Sequence, residues 1–359
     1  MAKGRYAIVD GTTRKVKKRY AIIDGVTRKI KKRYAIVDGK TRLVWGASEG
    51  KFILSGASYQ SVVEQGGGYL ITMGSNYTMD SDSNSIDINT KKGMLISAVC
   101  SNGAGRTIMT SGTSIYYSDD LLTWTKCSDG SAYAYNNTTN MFVTAKYLNN
   151  QFVVLCNAYY IAVSTDGITW NYIKVWDSSY SLESIAYGNG KYVISTSSDY
   201  LLYSNTLSGK FYQNNLSDRY YPIEYNPQDK LFIGYNMGGE DYILTSDGNN
   251  ITKKTASNHH YVKYVNDRLF IYRSYFLGYA TTDSNVVTTI NSLSINDICY
   301  GDGVYLILCI DPITSNSTLY TSTDLITFTP MDITNVIANE PTGSYRNYYF
   351  HTIGYSKLA

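Results

Sequence analysis

One short turn recurs along this chain at intervals of about 40 residues, and it restricts the fold more than any other feature. It reads Ser118-Asp119-Asp120-Leu121-Leu122-Thr123-Trp124, then Ser164-Thr165-Asp166-Gly167-Ile168-Thr169-Trp170, then Ser322-Thr323-Asp324-Leu325-Ile326-Thr327-Phe328. Weaker copies stand at Thr245-Ser246-Asp247-Gly248 and Thr281-Thr282-Asp283. The copy at Ser204-Asn205-Thr206 has lost its Asp, and a degenerate first copy lies near Asp82. The chemistry of the turn is structural: an Asp carboxylate accepts hydrogen bonds from turn amides, and Ser or Thr caps it.

Around each turn the chain alternates apolar runs with polar turns. The clearest copy is Ser184-Ile185-Ala186-Tyr187-Gly188-Asn189-Gly190-Lys191-Tyr192-Val193-Ile194, followed by Tyr200-Leu201-Leu202-Tyr203-Ser204. Four short strands per unit of about 40 residues is the signature of propeller blades. The expected fold is therefore all-β, a β-propeller. Counting full units gives seven blades. The strand Lys51-Phe52-Ile53-Leu54 precedes the first unit, and a half-unit, Tyr348-Tyr349-Phe350-His351-Thr352-Ile353, follows the last. Pairing of these two would close the ring and remove exposed sheet edges. An eighth, hybrid blade made from both termini is the alternative count.

Ahead of the propeller lies a different repeat. Arg5-Tyr6-Ala7-Ile8-Val9-Asp10-Gly11 returns at Arg19 and again at Arg33, and the third copy ends in Leu43-Val44-Trp45. Asp-Gly between β-formers is a strong hairpin signal, because Gly accepts the positive φ of a tight turn. Repeated N-terminal β-hairpins are expected over residues 1–45, with the propeller over 46–359. Tyr6, Ile8, Tyr20, Ile22, Tyr34 and Ile36 form the apolar strand faces and are the candidate anchoring residues. A lone hairpin is marginal in water, so this segment needs neighbouring copies, other chains or a docking surface.

Charge separates the two regions. Residues 1–43 hold 14 Lys or Arg and three Asp, a net of +11; the remainder holds 18 against 26, a net of −8. Basic patches attract phosphate, but no nucleic-acid-binding module surrounds this one, so nucleic acid is not an expected partner. No apolar run is long enough to span a membrane, and no membrane insertion is expected. The five cysteines show no framework spacing and are expected to be free, buried thiols, consistent with synthesis in a reducing cytoplasm.

Two resemblances follow from these motifs. The tandem Tyr-Ala-Ile-Val-Asp-Gly-x-Thr-Arg-Lys-Val-Lys-Lys resembles the start of tail and baseplate-associated proteins of phages and prophages of Gram-positive bacteria. The third copy departs from it, with Lys40 before Thr41 and no Lys-Lys ending. The resemblance implies a virion (phage tail) component, made in the bacterial cytoplasm, whose residues 1–45 contact other tail or baseplate proteins. It also implies a homo-oligomer, with a trimer as the form phage fibres adopt. The recurring turn resembles the Asp-box (Ser-x-Asp-x-Gly-x-Thr-Trp) of sialidase-like propellers, shortened by one residue. In that family the box is a fold element distant from catalysis.

An antiparallel blade places the turns after strands one and three on one face and the loops after strands two and four on the other. The second set is long and rich in Tyr, of which the chain has 37. Tyr133, Tyr135, Tyr159, Tyr160, Trp176, Tyr180, Tyr220, Tyr221, His259, His260, Tyr261 and Tyr275 are the candidate ligand-binding residues of that face. Such rings offer rigid contact area, and stacking on sugars would suit a host-surface polysaccharide; a host protein is the other candidate partner. Alternatively these rings cap the blade cores. A structural tail scaffold and a glycan-cleaving enzyme are the competing functions. No enzyme is expected: the Arg-Ile-Pro motif of sialidases is missing, and Glu183, Glu224 and Glu240 fall in scattered places, short of paired carboxylates. His259 and His260 would point to opposite strand faces, so no metal and no cofactor are expected.

Overall fold

A computed structural model of the chain describes residues 6–9, 12–15, 20–23, 26–29, 32–37, 40–46, 50–64, 67–80, 86–89, 96–111, 114–121, 124–127, 142–156, 159–177, 180–236, 241–255, 261–273, 276–281, 284–288, 294–301, 303–310, 317–331 and 346–357. Two compact units result, Met1–Glu49 and Gly50–Ala359.

In the first unit, Tyr6–Val9 pairs with Thr12–Lys15, Tyr20–Ile23 with Val26–Lys29, and Lys32–Val37 with Lys40–Gly46. Each is a separate two-stranded antiparallel sheet. All six candidate anchoring residues fall in the first strand of a pair.

The second unit is a β-propeller. Among the described residues every element is a strand. Six antiparallel four-stranded sheets follow one another in sequence order. They run from Ile96–Ser101 to Thr125–Lys126, Phe142–Leu148 to Asn171–Lys174, Leu182–Gly188 to Tyr212–Asn215, Tyr220–Asn226 to Ile251–Thr255, Tyr261–Val265 to Ser284–Thr288, and Ser294–Gly301 to Thr329–Met331. A further sheet has the order Arg346–Lys357, Gly50–Glu64, Gly67–Asp80, Ile86–Asn89, so it takes its first strand from the C-terminal end. There Ile353 pairs with Leu54 and Tyr355 with Phe52. The first strand of each sheet touches that of the next around a closed ring, in which Arg346–Lys357 contacts both Ser294–Gly301 and Ile96–Ser101.

Burial follows position in the sheet. Second strands such as Gln151–Cys156 and Lys191–Thr196 are buried along almost their whole length, because a neighbouring sheet covers each face. Their alternate residues serve different cores. Phe152 and Val154 pack with Ile108 and Ile115 of the preceding sheet, whereas Val153 and Leu155 pack with Ile185 and Ile194 of the following one. Outer strands are mostly exposed, as at Ile251–Thr255. The protein core is thus a set of slabs between sheets.

The turns carry the local chemistry. Asn149 and Asn150, and Asn266 and Asp267, have positive φ at both central positions, as do Asn189 and Gly190. That is the type I′ geometry that matches strand twist, and Asn is the residue that tolerates it best after Gly. In the recurring Asp turn, Asp166 Oδ1 accepts the amides of Ile168 and Thr169 at 2.8 and 2.9 Å, and Ser164 Oγ accepts the Gly167 amide at 2.8 Å. Asp324 and Asp247 repeat the pattern. These amide bonds hold the carboxyls of Asp166 and Asp324 below the usual Asp range.

The same turns join sheet to sheet. Arg106 Nη1 donates to the Asp166 carbonyl at 2.6 Å from the preceding sheet. Asn149 Nδ2 donates to Tyr192 Oη at 3.2 Å, Tyr225 Oη donates to Asn189 Oδ1 at 2.7 Å, and Asn266 Nδ2 donates to Tyr305 Oη at 2.7 Å. A belt of turn amides and tyrosine hydroxyls therefore ties successive sheets on this face. Gly188 belongs to it: a Cβ there would lie 2.2 Å from the Tyr225 ring.

Candidate functional site

The loop face is built from the ends of strands two and four. Tyr160 opens the third strand of the sheet containing Asn171–Lys174 with Tyr159 just before it, Trp176 follows that sheet's last strand, and Tyr180 precedes the next sheet. Backbone bonds pin these loops, with Val175 N donating to Tyr159 O at 2.9 Å and Ser197 N to Ser181 O at 2.8 Å. Trp176 is half-buried and Tyr180 is 46% exposed. Their rings stack at 6.1 Å, and Tyr200 of the following sheet meets Trp176 edge-on at 5.5 Å. The indole N–H donates to Gln213 Oε1 at 3.2 Å. Beside this ledge, Tyr159 lies 5.0 Å from Tyr160, Lys174 Nζ sits 5.1 Å from the Tyr159 ring, and Lys174 pairs with Asp177. The result is an aromatic surface crossing a blade boundary, edged by one cation and one carboxylate.

Other candidates fall differently. Tyr261 is 44% exposed and stacks on the buried Tyr272 at 5.7 Å. Tyr221 is half-buried, and burial pushes its hydroxyl pKa up, with Glu183 adding to the shift. Tyr220 departs from expectation: it is only 2% exposed and packs between sheets with Ile223, Phe232 and Ile243. Tyr220 stands just before a register shift that recurs in first strands, at the core position that Phe142, Leu182 and Ile295 fill in their own sheets. Tyr133, Tyr135, His259, His260 and Tyr275 lie outside the described residues.

Sequence reasoning missed Tyr200, although it opens a third strand as Tyr160 does. It also missed the charges on the first strands, which form the inner ring. Lys146 Nζ meets Glu224 Oε1 at 2.6 Å, across the intervening sheet of Leu182–Gly188. Arg219 grips Glu183 with two nitrogens. Lys263 Nζ meets Asp297 Oδ1 at 2.5 Å, and Asp297 also accepts the amides of Ile298 and Ile353 at 2.8 and 3.0 Å. Glu183 and Glu224, scattered in sequence, thus both end up ion-paired on inner strands. One signal lay in the repeat: Lys146, Glu224 and Lys263 each stand just before the tyrosine that is the last residue but one of a first strand.

All five cysteines are free of disulfides. Burial pushes the thiols of Cys100, Cys156 and Cys309 up to about 12.

No protein-family model and no curated protein matches the chain. Among solved structures it is similar to YCF48 bound to a D1 peptide, at 12% identity and a TM-score of 0.52, over 70% of this chain and 90% of that one. It is similar to a streptogramin B lyase at 12% identity and a TM-score of 0.54, over 66% and 82%. A catalytically inactive virginiamycin B lyase from Staphylococcus aureus with quinupristin matches at 12% identity and a TM-score of 0.52, over 78% and 96%. At such identities the likeness is one of fold: this chain is a β-propeller.

Proposed function

We propose that the chain is a tail component of a phage or phage-derived particle that binds a host surface glycan through the loop face of a seven-bladed propeller. The basic repeats of residues 1–45 anchor it to other tail or baseplate proteins as hairpins, and the assembled form is a homo-oligomer, a trimer by analogy with phage fibres. Six consecutive four-stranded sheets and one that joins both ends of the unit support the count of seven.

The observation that carries the receptor reading is the ledge of Trp176, Tyr180 and Tyr200. Large rings left partly exposed and stacked at a blade boundary suit the apolar face of a sugar, while Asp177 and Lys174 offer polar contacts at the edge. Function is binding without turnover. Glu183 and Glu224 are each held by a cation, which leaves neither carboxylate placed as a free acid or base.

The test is sedimentation of the full-length protein with purified cell walls from a panel of Gram-positive bacteria. Co-sedimentation that periodate treatment of the glycan abolishes is the expected result. Undiminished binding by a Trp176→Ala/Tyr180→Ala variant would overturn the ledge. Failure to bind any wall, together with retention in assembled tails, would favour the scaffold role instead.

A further inference from the structure

A cavity of about 520 Å³ opens on the opposite face, between the sheet of Phe142–Lys174 and that of Leu182–Asn215. It reaches the size range of small-ligand sites. Its walls come from two copies of the recurring turn. One is the regular turn of Asp166, with Trp170 and Asn171 behind it; the other is the turn at Ser204, the copy that lost its Asp.

That loss changes the turn. In the regular copies the Ser or Thr hydroxyl donates to the Asp two residues on, as Ser164 Oγ does to Asp166 at 2.9 Å. Ser204 Oγ instead donates to the carbonyl of Lys210 at 2.9 Å, six residues on. The longer loop lays Asn205 and Thr206 along the cavity, where Lys191 Nζ donates to Asn205 Oδ1 at 2.5 Å. A departure from the repeat therefore coincides with a lined space.

The lining is of one chemical kind. Asn171, Asn205 and Thr206 are exposed amides and hydroxyls, and Trp170 and Tyr192 are buried aromatics. The Trp170 indole N–H has no acceptor among the described residues. Asp166 is the one carboxylate, and its Oδ1 already accepts from Ser164, Ile168 and Thr169. A negative charge beside the cavity disfavours an anion. No group of three His, Cys, Asp or Glu among the described residues could hold a metal.

We propose that this cleft is a second ligand site, independent of the Trp176 ledge, which takes a neutral hydroxyl-rich ring of monosaccharide size. Hydroxyls of such a ring match the mixed donors and acceptors of Asn171, Asn205 and Thr206.

The experiment is ligand-observed NMR titration of the full-length protein with D-glucose, D-galactose and N-acetyl-D-glucosamine. The expected result is saturable binding of at least one, with a Kd on the order of 1 mM. Asn171→Ala and Asn205→Ala, both at exposed positions, are expected to weaken it about tenfold each, the loss of a buried hydrogen bond on binding. Trp176→Ala is expected to leave it unchanged. No saturable signal with any of the three sugars overturns the site, as does binding that both Asn variants retain. Loss of the signal in Trp176→Ala assigns the sugar to the ledge and also overturns it, while leaving the cell-wall reading intact.

Discussion

Tyrosine does opposite work on the two faces of this propeller. On the turn face, the hydroxyls of Tyr192, Tyr225 and Tyr305 are spent on Asn side chains of adjacent sheets, and the Tyr225 and Tyr192 rings pack on Phe232 and Tyr187. On the loop face, Tyr180 stands 46% exposed over Trp176, and Tyr159 and Tyr160 stay half-buried beside it. One residue type supplies both a structural belt and a candidate contact surface. Abundance of Tyr therefore says little about function until register places each ring.

The comparison can be broken by substitution, since the belt should respond in stability and the ledge in binding. The largest effect is expected at the ledge: Trp176→Ala with Tyr180→Ala should cost about 3 kcal/mol of glycan affinity, as central aromatic anchors do. The same variant should lower unfolding free energy by less, about 1 kcal/mol, because Tyr180 is exposed and Trp176 is only half-buried against a core cluster. Cell-wall sedimentation and urea denaturation read the two quantities side by side.

Asp297 should show the reverse. Asp297→Ala strands Lys263 and removes the acceptor for the Ile298 and Ile353 amides, the last of these on the strand that closes the ring. Removing one partner of a largely buried pair costs about 3 kcal/mol. A shift in the urea midpoint measures it, and an unchanged midpoint would remove the inner charges from the account of stability.

A smaller effect tests the belt alone. Gly188→Ala places a methyl 2.2 Å from the Tyr225 ring. Such overpacking costs about 2 kcal/mol. In a Tyr225→Ala background that cost should fall toward zero, so a double-mutant cycle with no coupling would contradict the contact.

The smallest effect is in acid. Amide bonds from Ile168 and Thr169 lower the pKa of Asp166, and those from Thr327 and Ile326 lower that of Asp324, from the usual 3.8. Because the folded pKa is depressed, the contribution is complete above the usual 3.8 and is lost as pH falls from there through the folded value. Asp324→Asn should flatten the stability profile below pH 4 and leave its shape near neutrality alone; a pH series of thermal melts decides this.

What could be read from the residues and what could not divides along sequence distance. The Asp turns and the strand order within each sheet depend on contacts between residues a few positions apart, and periodicity exposed them. The alternation of connections that defines a loop face follows from antiparallel pairing alone. Tyr220 escaped this logic because it stands just before a bulge that recurs in first strands, at a position where Phe142, Leu182 and Ile295 are buried in their own sheets.

The pattern of residues by itself determined an all-β chain of repeated four-stranded units with a separate basic head. Tertiary structure alone decided the rest. Arg346–Lys357 joins Gly50–Glu64 in one sheet, Lys146 reaches past a neighbouring sheet to Glu224, and Tyr225 sits where Gly188 leaves room. Each of these joins residues at least 36 positions apart, as Tyr225 and Asn189 are. A local repeat specifies each blade, but only closure of the ring brings the ends together and sets which charges and rings face one another.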